Sequence, residues 1–311
     1  MQIQWNQIPP NSRTEYTLEV EPGKTISVIV IKGANPGKTL AVSAGVHGCE
    51  YVGIQTAKHL ASIIQPEKIS GTLVLLPLLN IEGFLRGCRQ VMPEDGKDLN
   101  RAFPGDRTGS FSKKLAAVIE EEIYPALDFI LDLHGGDMNE ELTPMVFYPA
   151  EASPETTRQS LEAAERLSPG LLIASSAKTG VYSYAAQKGI PALLLERGAL
   201  GRWTEQEVDQ DTGDAVRLMA HLGMIEGPDK PLPHQLIADS CFEVAPEDGY
   251  WYAYASAGSR VKKGQTLGEL HRLDGSLCWA VESPWDGIIL YNTVSLGVSR
   301  GNPLVAYGRW E

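Results

Sequence analysis

GKTLAVSAGVHGCEYVGIQTAKHL, residues 37–60, passes from one periodicity to another across a short junction. TLAVSAGV is a continuous apolar run, the pattern of a strand buried on both faces. YVGIQTAKHLASII (51–64) repeats its apolar residues at helical spacing. His47 and Glu50 stand at the junction, three residues apart. Taken alone, such an HxxE pair is a weak signal, because a loop histidine followed by a glutamate near a helix N-terminus is favourable with the helix dipole.

The same grammar extends outward in both directions. Upstream, TEYTLEV and TISVIVIKG are β patterns separated by the turn EPGK. Downstream, GTLVLLPLLN (71–80), DFILDLHG (128–135), MVFYPA (145–150) and PALLLERG (191–198) read as strands. They alternate with helical patterns at 114–123, 154–167 and 205–223. This order predicts an α/β fold, a mixed and mostly parallel sheet with helices on both faces. Ligands of such sheets sit beyond the carboxyl ends of the strands. Three polar residues fall at those ends: His47, His134 and Glu196. Each interrupts an apolar strand end, where a charge without a partner is costly.

GPDKPLPHQ (227–235) is Pro-rich and aperiodic and marks the expected domain boundary, with a catalytic domain over 1–228 and a β-rich domain over 236–311. The tail contains an internal duplication. PEDG (246–249) followed by VKKG (261–264) corresponds to PWDG (284–287) followed by VSRG (298–301), each pair leading into a short apolar strand. Two β half-units of this kind resemble the biotinyl/lipoyl-type barrel-sandwich. That carrier fold needs a lysine on the turn joining its halves, and no lysine follows Lys263. The expected role of the tail is therefore structural, as a lid or an oligomerisation surface.

Composition narrows the function classes. At 311 residues, 43% hydrophobic and 21% charged, the chain is that of a globular protein large enough for more than one domain. Its formal charge of −12, without a basic patch, opposes nucleic acid as a partner. Apolar runs such as TLVLLPLL (72–79) are too short to span a bilayer, so no membrane partner is expected. The start MQIQWNQIPPN lacks a basic stretch followed by an apolar core, and the expected location is cytoplasmic. Cys49, Cys88, Cys241 and Cys278 are scattered, as suits reduced thiols, and Cys49 is expected to be a packing residue rather than a ligand.

Catalytic zinc sites use three protein ligands and keep a fourth position for water. His47 and Glu50 can supply two from one turn, and His134 a third from another strand end. Within DLHGG (132–136), the histidine taken alone also fits a backbone-bonded strand end, but the two glycines after it leave room for a substrate. DGKDLNRAFPG (95–105) is a turn-rich loop whose Arg101 has a fork suited to a carboxylate, or to a surface salt bridge.

The ordered set HGCE (47–50), CR (88–89), DLNRAFPG (98–105), DLHGG (132–136) and LLERG (194–198) resembles the succinylglutamate desuccinylase/aspartoacylase family, relatives of the zinc carboxypeptidases. The match runs over about residues 40–200, and the tail is similar to the β domain that follows in that family. The resemblance implies one Zn2+ per subunit on His47, Glu50 and His134, with Glu196 as general base. It implies Arg89 as the residue polarising the scissile carbonyl, with Arg86 a close competitor, and Asn100 and Arg101 as binders of the substrate carboxylate. Aspartoacylase itself has a further arginine about ten residues before the glutamate, where SYAAQKG (183–189) offers only Lys188. Arg197 and Arg202 are the candidates to replace it, and Tyr182, Tyr184, Tyr252 and Tyr291 those for a tyrosine in the site. The loops look more like those of N-acetyl-diaminobutyrate-type deacylases than those of the founding enzymes.

The implied activity is hydrolysis of the amide of a small N-acyl amino acid or related compound, by a subunit free to be a homo-oligomer. The competing expectations are a carboxypeptidase acting on peptide C-termini and a non-catalytic binding protein that has kept the zinc fold.

Overall fold

The structure is a computed structural model that describes residues 2–88 and 90–310. Three strands open the chain, β1 (Ser12–Glu21), β2 (Lys24–Lys32) and β3 (Asn35–Ala44). Then β and α alternate: α1 (Tyr51–Ile63), β4 (Ser70–Leu76), α2 (Ile81–Arg86), α3 (Phe111–Val118), β5 (Phe129–His134), β6 (Glu140–Leu142) and β7 (Met145–Pro149). α4 (Pro154–Ala164), β8 (Leu171–Ser175), α5 (Val181–Gln187), β9 (Ala192–Glu196) and α6 (Glu205–His221) complete this half.

The expected strands and helices form within a few residues of their predicted limits. β6, β8, α2 and α5 were not anticipated. β6 is three residues long, and α5 is a seven-residue helix, VYSYAAQ, entered through Gly180 at φ +104°.

Alternation along the buried strands sorts the core into two layers. One face of β2, β3, β4, β5 and β9 presents Val28, Val30, Ala41, Val74, Ile130 and Ala192 to α3 and α5. The other presents Ile29, Ile31, Leu40, Val42, Leu131 and Leu193 to α1, α4 and α6. A strand with helices on both sides must be apolar at successive residues, which is why these segments read as unbroken hydrophobic runs.

The large sheet is mixed, in the order β1-β2-β4-β3-β5-β9-β7-β8 and onward. Parallel neighbours do not prevail along its whole length, however. They hold its middle, β4-β3-β5-β9, and the step β7-β8, while β1-β2, β2-β4 and β9-β7 are antiparallel.

Every described element after α6 is a strand: β10 (Gln235–Val244), β11 (Gly249–Ala253), β12 (Arg260–Val261), β13 (Thr266–His271), β14 (Leu277–Glu282), β15 (Gly287–Thr293), β16 (Gly297–Val298) and β17 (Pro303–Trp310). The internal duplication is visible in the pairing. β12 of the first copy pairs with β15 of the second, and β16 of the second pairs with β11 of the first. β10 runs parallel to β8 and β15 pairs with β6, so the sheet continues across the Pro-rich segment. No described helix is long and apolar enough to cross a membrane.

Candidate active site

β3, β5 and β9 are consecutive parallel neighbours, so their carboxyl ends share one edge of the sheet. Ala44 pairs with Leu133, and His134 with Glu196. The sequence after β3 turns through Gly45, whose φ of +65° favours a residue without a Cβ. Glu50 N donates to His47 O at 3.3 Å, closing the turn that brings the two side chains together. Glu50 is also the N-cap of α1 and makes no capping bond with its side chain, leaving the carboxylate for the site.

That carboxylate lies between two imidazoles. Glu50 Oε1 is 2.5 Å from His47 Nδ1, and Oε2 is 2.9 Å from His134 Nδ1. Oε2 is buried yet has no aligned hydrogen bond, so its lone pair points into the same space as the ring nitrogen. One ligand atom from each of His47, Glu50 and His134 lies within 4.8 Å of the others. This is a His2Glu donor set of the kind that holds a catalytic zinc with one position open.

The far nitrogens of both rings are also engaged. His134 Nε2 is 3.2 Å from Asp132 Oδ2, and His47 Nε2 is 3.4 Å from Asp98 Oδ1. Asp132 is fully buried and also accepts from Ser43 Oγ at 2.6 Å. A carboxylate behind a ligating histidine fixes its tautomer and ring orientation. These two aspartates are what the residue-by-residue reading overlooked. One signal was available: on a strand, residues two apart share a face, and DLHGG places Asp132 two before His134.

The electrostatics describe a site short of positive charge. Burial opposes protonation of His47, but Glu50 and Asp98 outweigh it and lift the imidazole to about 10. His134 is raised well above its usual value against the same penalty, by Glu50 and Asp132. Burial works to neutralise Glu50, and the two imidazoles overcome it, holding the carboxyl at about 2.

Glu196 differs from Glu50. Burial pushes its carboxyl up to about 8, with Glu50 and Glu140 adding repulsion against the pull of the imidazoles. Its Oε2 is buried with no partner. Arg197, next in sequence, turns the other way and joins Asp211, Asp214 and Ser168. The strand end is thereby tied to α6, and Arg197 is not available to replace a substrate-binding arginine.

A chamber of about 300 Å³ opens over the cluster, lined by His47, Glu50, His134 and Glu196 and by Asn100 and Arg101. Asp98 caps the turn that carries the last two, accepting from Asn100 N at 2.7 Å. Asn100 Oδ1 accepts from Val181 N at 3.2 Å, which leaves the amide NH2 as its donor toward the chamber. The Arg101 side chain is 71% exposed and free to fold over a ligand, with only a 4.0 Å approach to Asp98.

Other expected residues lie elsewhere. Arg86 is on the surface and pairs with Glu82 at 3.0 Å, away from the chamber. Arg89 lies outside the described residues. Lys188 sits over the ring of Tyr184, Arg202 is exposed, and neither lines the chamber. Of the four candidate tyrosines, Tyr182 and Tyr291 line it. Cys49 is buried with Sγ turned to Asp137 Oδ1 at 3.5 Å, and burial pushes its thiol far up, as a packing residue requires.

The succinylglutamate desuccinylase/aspartoacylase catalytic domain description matches residues 36–222. The N-alpha-acetyl-L-2,4-diaminobutyric acid deacetylase of Halomonas elongata is 26% identical over 289 residues, covering 90% of this chain and 84% of that protein. A crystal structure of a succinylglutamate desuccinylase/aspartoacylase from Rhodobacter sphaeroides superposes with a TM-score of 0.84 at 25% identity, covering 98% of each chain. The product-bound ectoine utilization protein EutE of Ruegeria pomeroyi shares the fold, with a TM-score of 0.83 at 21% identity over 97% of each chain.

Proposed function

The chain belongs to the succinylglutamate desuccinylase/aspartoacylase family, and from that premise we propose that it is a zinc-dependent deacylase, hydrolysing the amide of a small N-acyl amino acid or a related compound. The observation that carries the reading is the His47–Glu50–His134 cluster, with a carboxylate behind each imidazole and the unpartnered Glu196 at the neighbouring strand end. The donor set, Glu50 Oε2 facing His134 Nδ1 without an aligned hydrogen bond, and the excess of carboxylates fit a dication of zinc's preferences. Zinc in that place supplies a Lewis acid and brings the pKa of bound water toward about 7.

The protein's own groups do the rest. Glu196 takes a proton from the attacking water and returns it to the departing nitrogen, a task suited to a carboxyl whose pKa burial has raised toward neutrality. Asn100 and Arg101 hold the substrate carboxylate by a donor NH2 and a guanidinium fork. Arg89 stabilises the charge that grows on the carbonyl oxygen, a role assigned by its place in the family motif.

We further assign residues 1–228 to the catalytic unit and 236–311 to a β-rich unit of the biotinyl/lipoyl barrel-sandwich type without its carrier lysine. Phe242, Tyr291 and Pro303 from that second part line the chamber, which favours a compact substrate over the end of a polypeptide. The test is a panel of N-acetyl, N-succinyl and longer N-acyl amino acids set against short peptides, with zinc-loaded protein. Turnover of acyl amino acids, lost on chelation and restored by zinc, is expected. Full activity in metal-free protein, or turnover of peptides alone, would overturn the reading.

A further inference from the structure

Resting on the deacylase reading, we infer that the substrate carries an apolar group, aliphatic or aromatic, bound against a wall beside Glu196. β7 and β9 are antiparallel, with Met145 opposite Glu196 and Phe147 opposite Leu194. Residues two apart on a strand, and residues directly opposite across a pair, share a face. The base therefore stands at one corner of a patch whose other corners are Met145, Leu194 and Phe147. On the β6–β15 pair, elsewhere in the sheet order, Leu142 is opposite Tyr291. All six residues line the chamber. Met145 and Leu194 are buried, whereas Phe147, Leu142 and Tyr291 are only half-buried and keep surface turned to the cavity.

The polar lining is gathered differently. Asn100, Arg101 and Thr179 form one cluster, in which Thr179 Oγ1 donates to Asn100 O at 2.8 Å. The chamber also holds Asp137 and Glu140, but both are engaged. Asp137 accepts from Met138 N at 2.5 Å, and Glu140 accepts from Asp137 N at 3.2 Å. Gln90, Ser175 and Ser183 and the hydroxyl of Tyr291 add further polar groups to the lining, but none of these residues lies on β7 or β9, so the strand pair that carries Glu196 offers the chamber an apolar wall. A substrate that is charged throughout would leave the wall's surface unmatched, and a polar group set against the wall would lose its water without gaining a partner.

The experiment compares kcat/KM for two series on the zinc-loaded full chain. One lengthens the acyl group on glycine through acetyl, butyryl and hexanoyl. The other enlarges the amino acid under a constant acetyl group through alanine, norvaline, leucine and phenylalanine. N-acetyl-aspartate and N-acetyl-2,4-diaminobutyrate serve as polar counterparts. One series should rise about fourfold for each buried methylene until the chamber is full, with the polar compounds at least tenfold below apolar ones of equal length. Leu142→Asn, on a half-exposed strand, should flatten that slope, and Phe147→Ser should do the same. The readout is the ratio of long to short substrate, which a general loss of folded protein does not move.

Two flat series with the polar compounds preferred would overturn the inference while leaving the deacylase reading intact. If no amide is turned over, the deacylase reading fails by itself. The thermal shift given by the same compounds then decides, apolar above polar supporting the wall and the reverse order overturning it.

Discussion

Asp132→Asn isolates what a buried carboxylate does behind the candidate metal ligand His134. Asp132 is fully buried, 3.2 Å from His134 Nε2, and accepts a second bond from Ser43 Oγ. Asparagine matches its shape and keeps one acceptor for the imidazole N–H. The NH2 that replaces the other oxygen faces Ser43, whose hydroxyl can rotate from donor to acceptor. The fold should therefore be spared and the loss confined to charge. Removing such a partner typically weakens metal binding 10- to 100-fold, or about 1.4–2.7 kcal/mol. Asp98→Asn provides the graded control. Its side chain is 25% exposed and stands farther from its histidine, at 3.4 Å, and asparagine caps a turn as well as aspartate does. Its effect should stay below about tenfold, the low end of the same range. Competition for zinc against a chromophoric chelator measures both variants. Asp132→Asn binding zinc within threefold of the parent, or Asp98→Asn losing more than Asp132→Asn, would refute the reasoning.

Glu196→Gln should retain zinc by metal analysis and lose roughly 10²- to 10⁴-fold in kcat, the usual contribution of a positioned base. Arg101→Ala should raise KM about 10- to 100-fold with little change in kcat, and Arg101→Lys should recover only part because it keeps the charge without the fork. In metal-free protein, His47 is raised from 6.5 to about 10, so its stabilisation is full below 6.5 and is lost as pH climbs through 10. Glu50 is lowered from 4.5 to about 2, so its share is present above 4.5 and is lost as pH falls through 2. The Tm of chelator-treated protein should accordingly be highest between these ordinary values. Zinc should release protons on binding, a calorimetric signal that scales with buffer ionisation enthalpy.

The centre of this fold was legible because strands buried on both faces must be apolar throughout, and a polar residue at the end of such a run has few explanations. His47, His134 and Glu196 stood out for that reason. Asp98 and Asp132 did not, since an aspartate near a turn or in a strand carries no mark of which nitrogen it will meet. β6 was missed because three residues hold no periodicity. β12 and β16 are shorter still, at two residues each, and only the duplicated turns around them hinted at their presence. The apolar wall was invisible for a related reason. Its members come from β6, β7, β9 and β15, and only the register within two separate strand pairs, together with the chamber that both pairs line, brings them together.

The antiparallel pairing of β6 with β15 has a consequence for how the molecule comes into being. All three candidate ligands and Glu196 precede α6, so a chain emerging from the ribosome can bring them together before its last third exists. β6, however, must wait for a partner close to the C-terminus, and such long-range pairings form late because loop closure must precede any gain from contact. On the proposed deacylase reading, the growing chain therefore gathers its candidate metal ligands at a stage when the wall of the chamber is still incomplete, and substrate binding waits for the final strands.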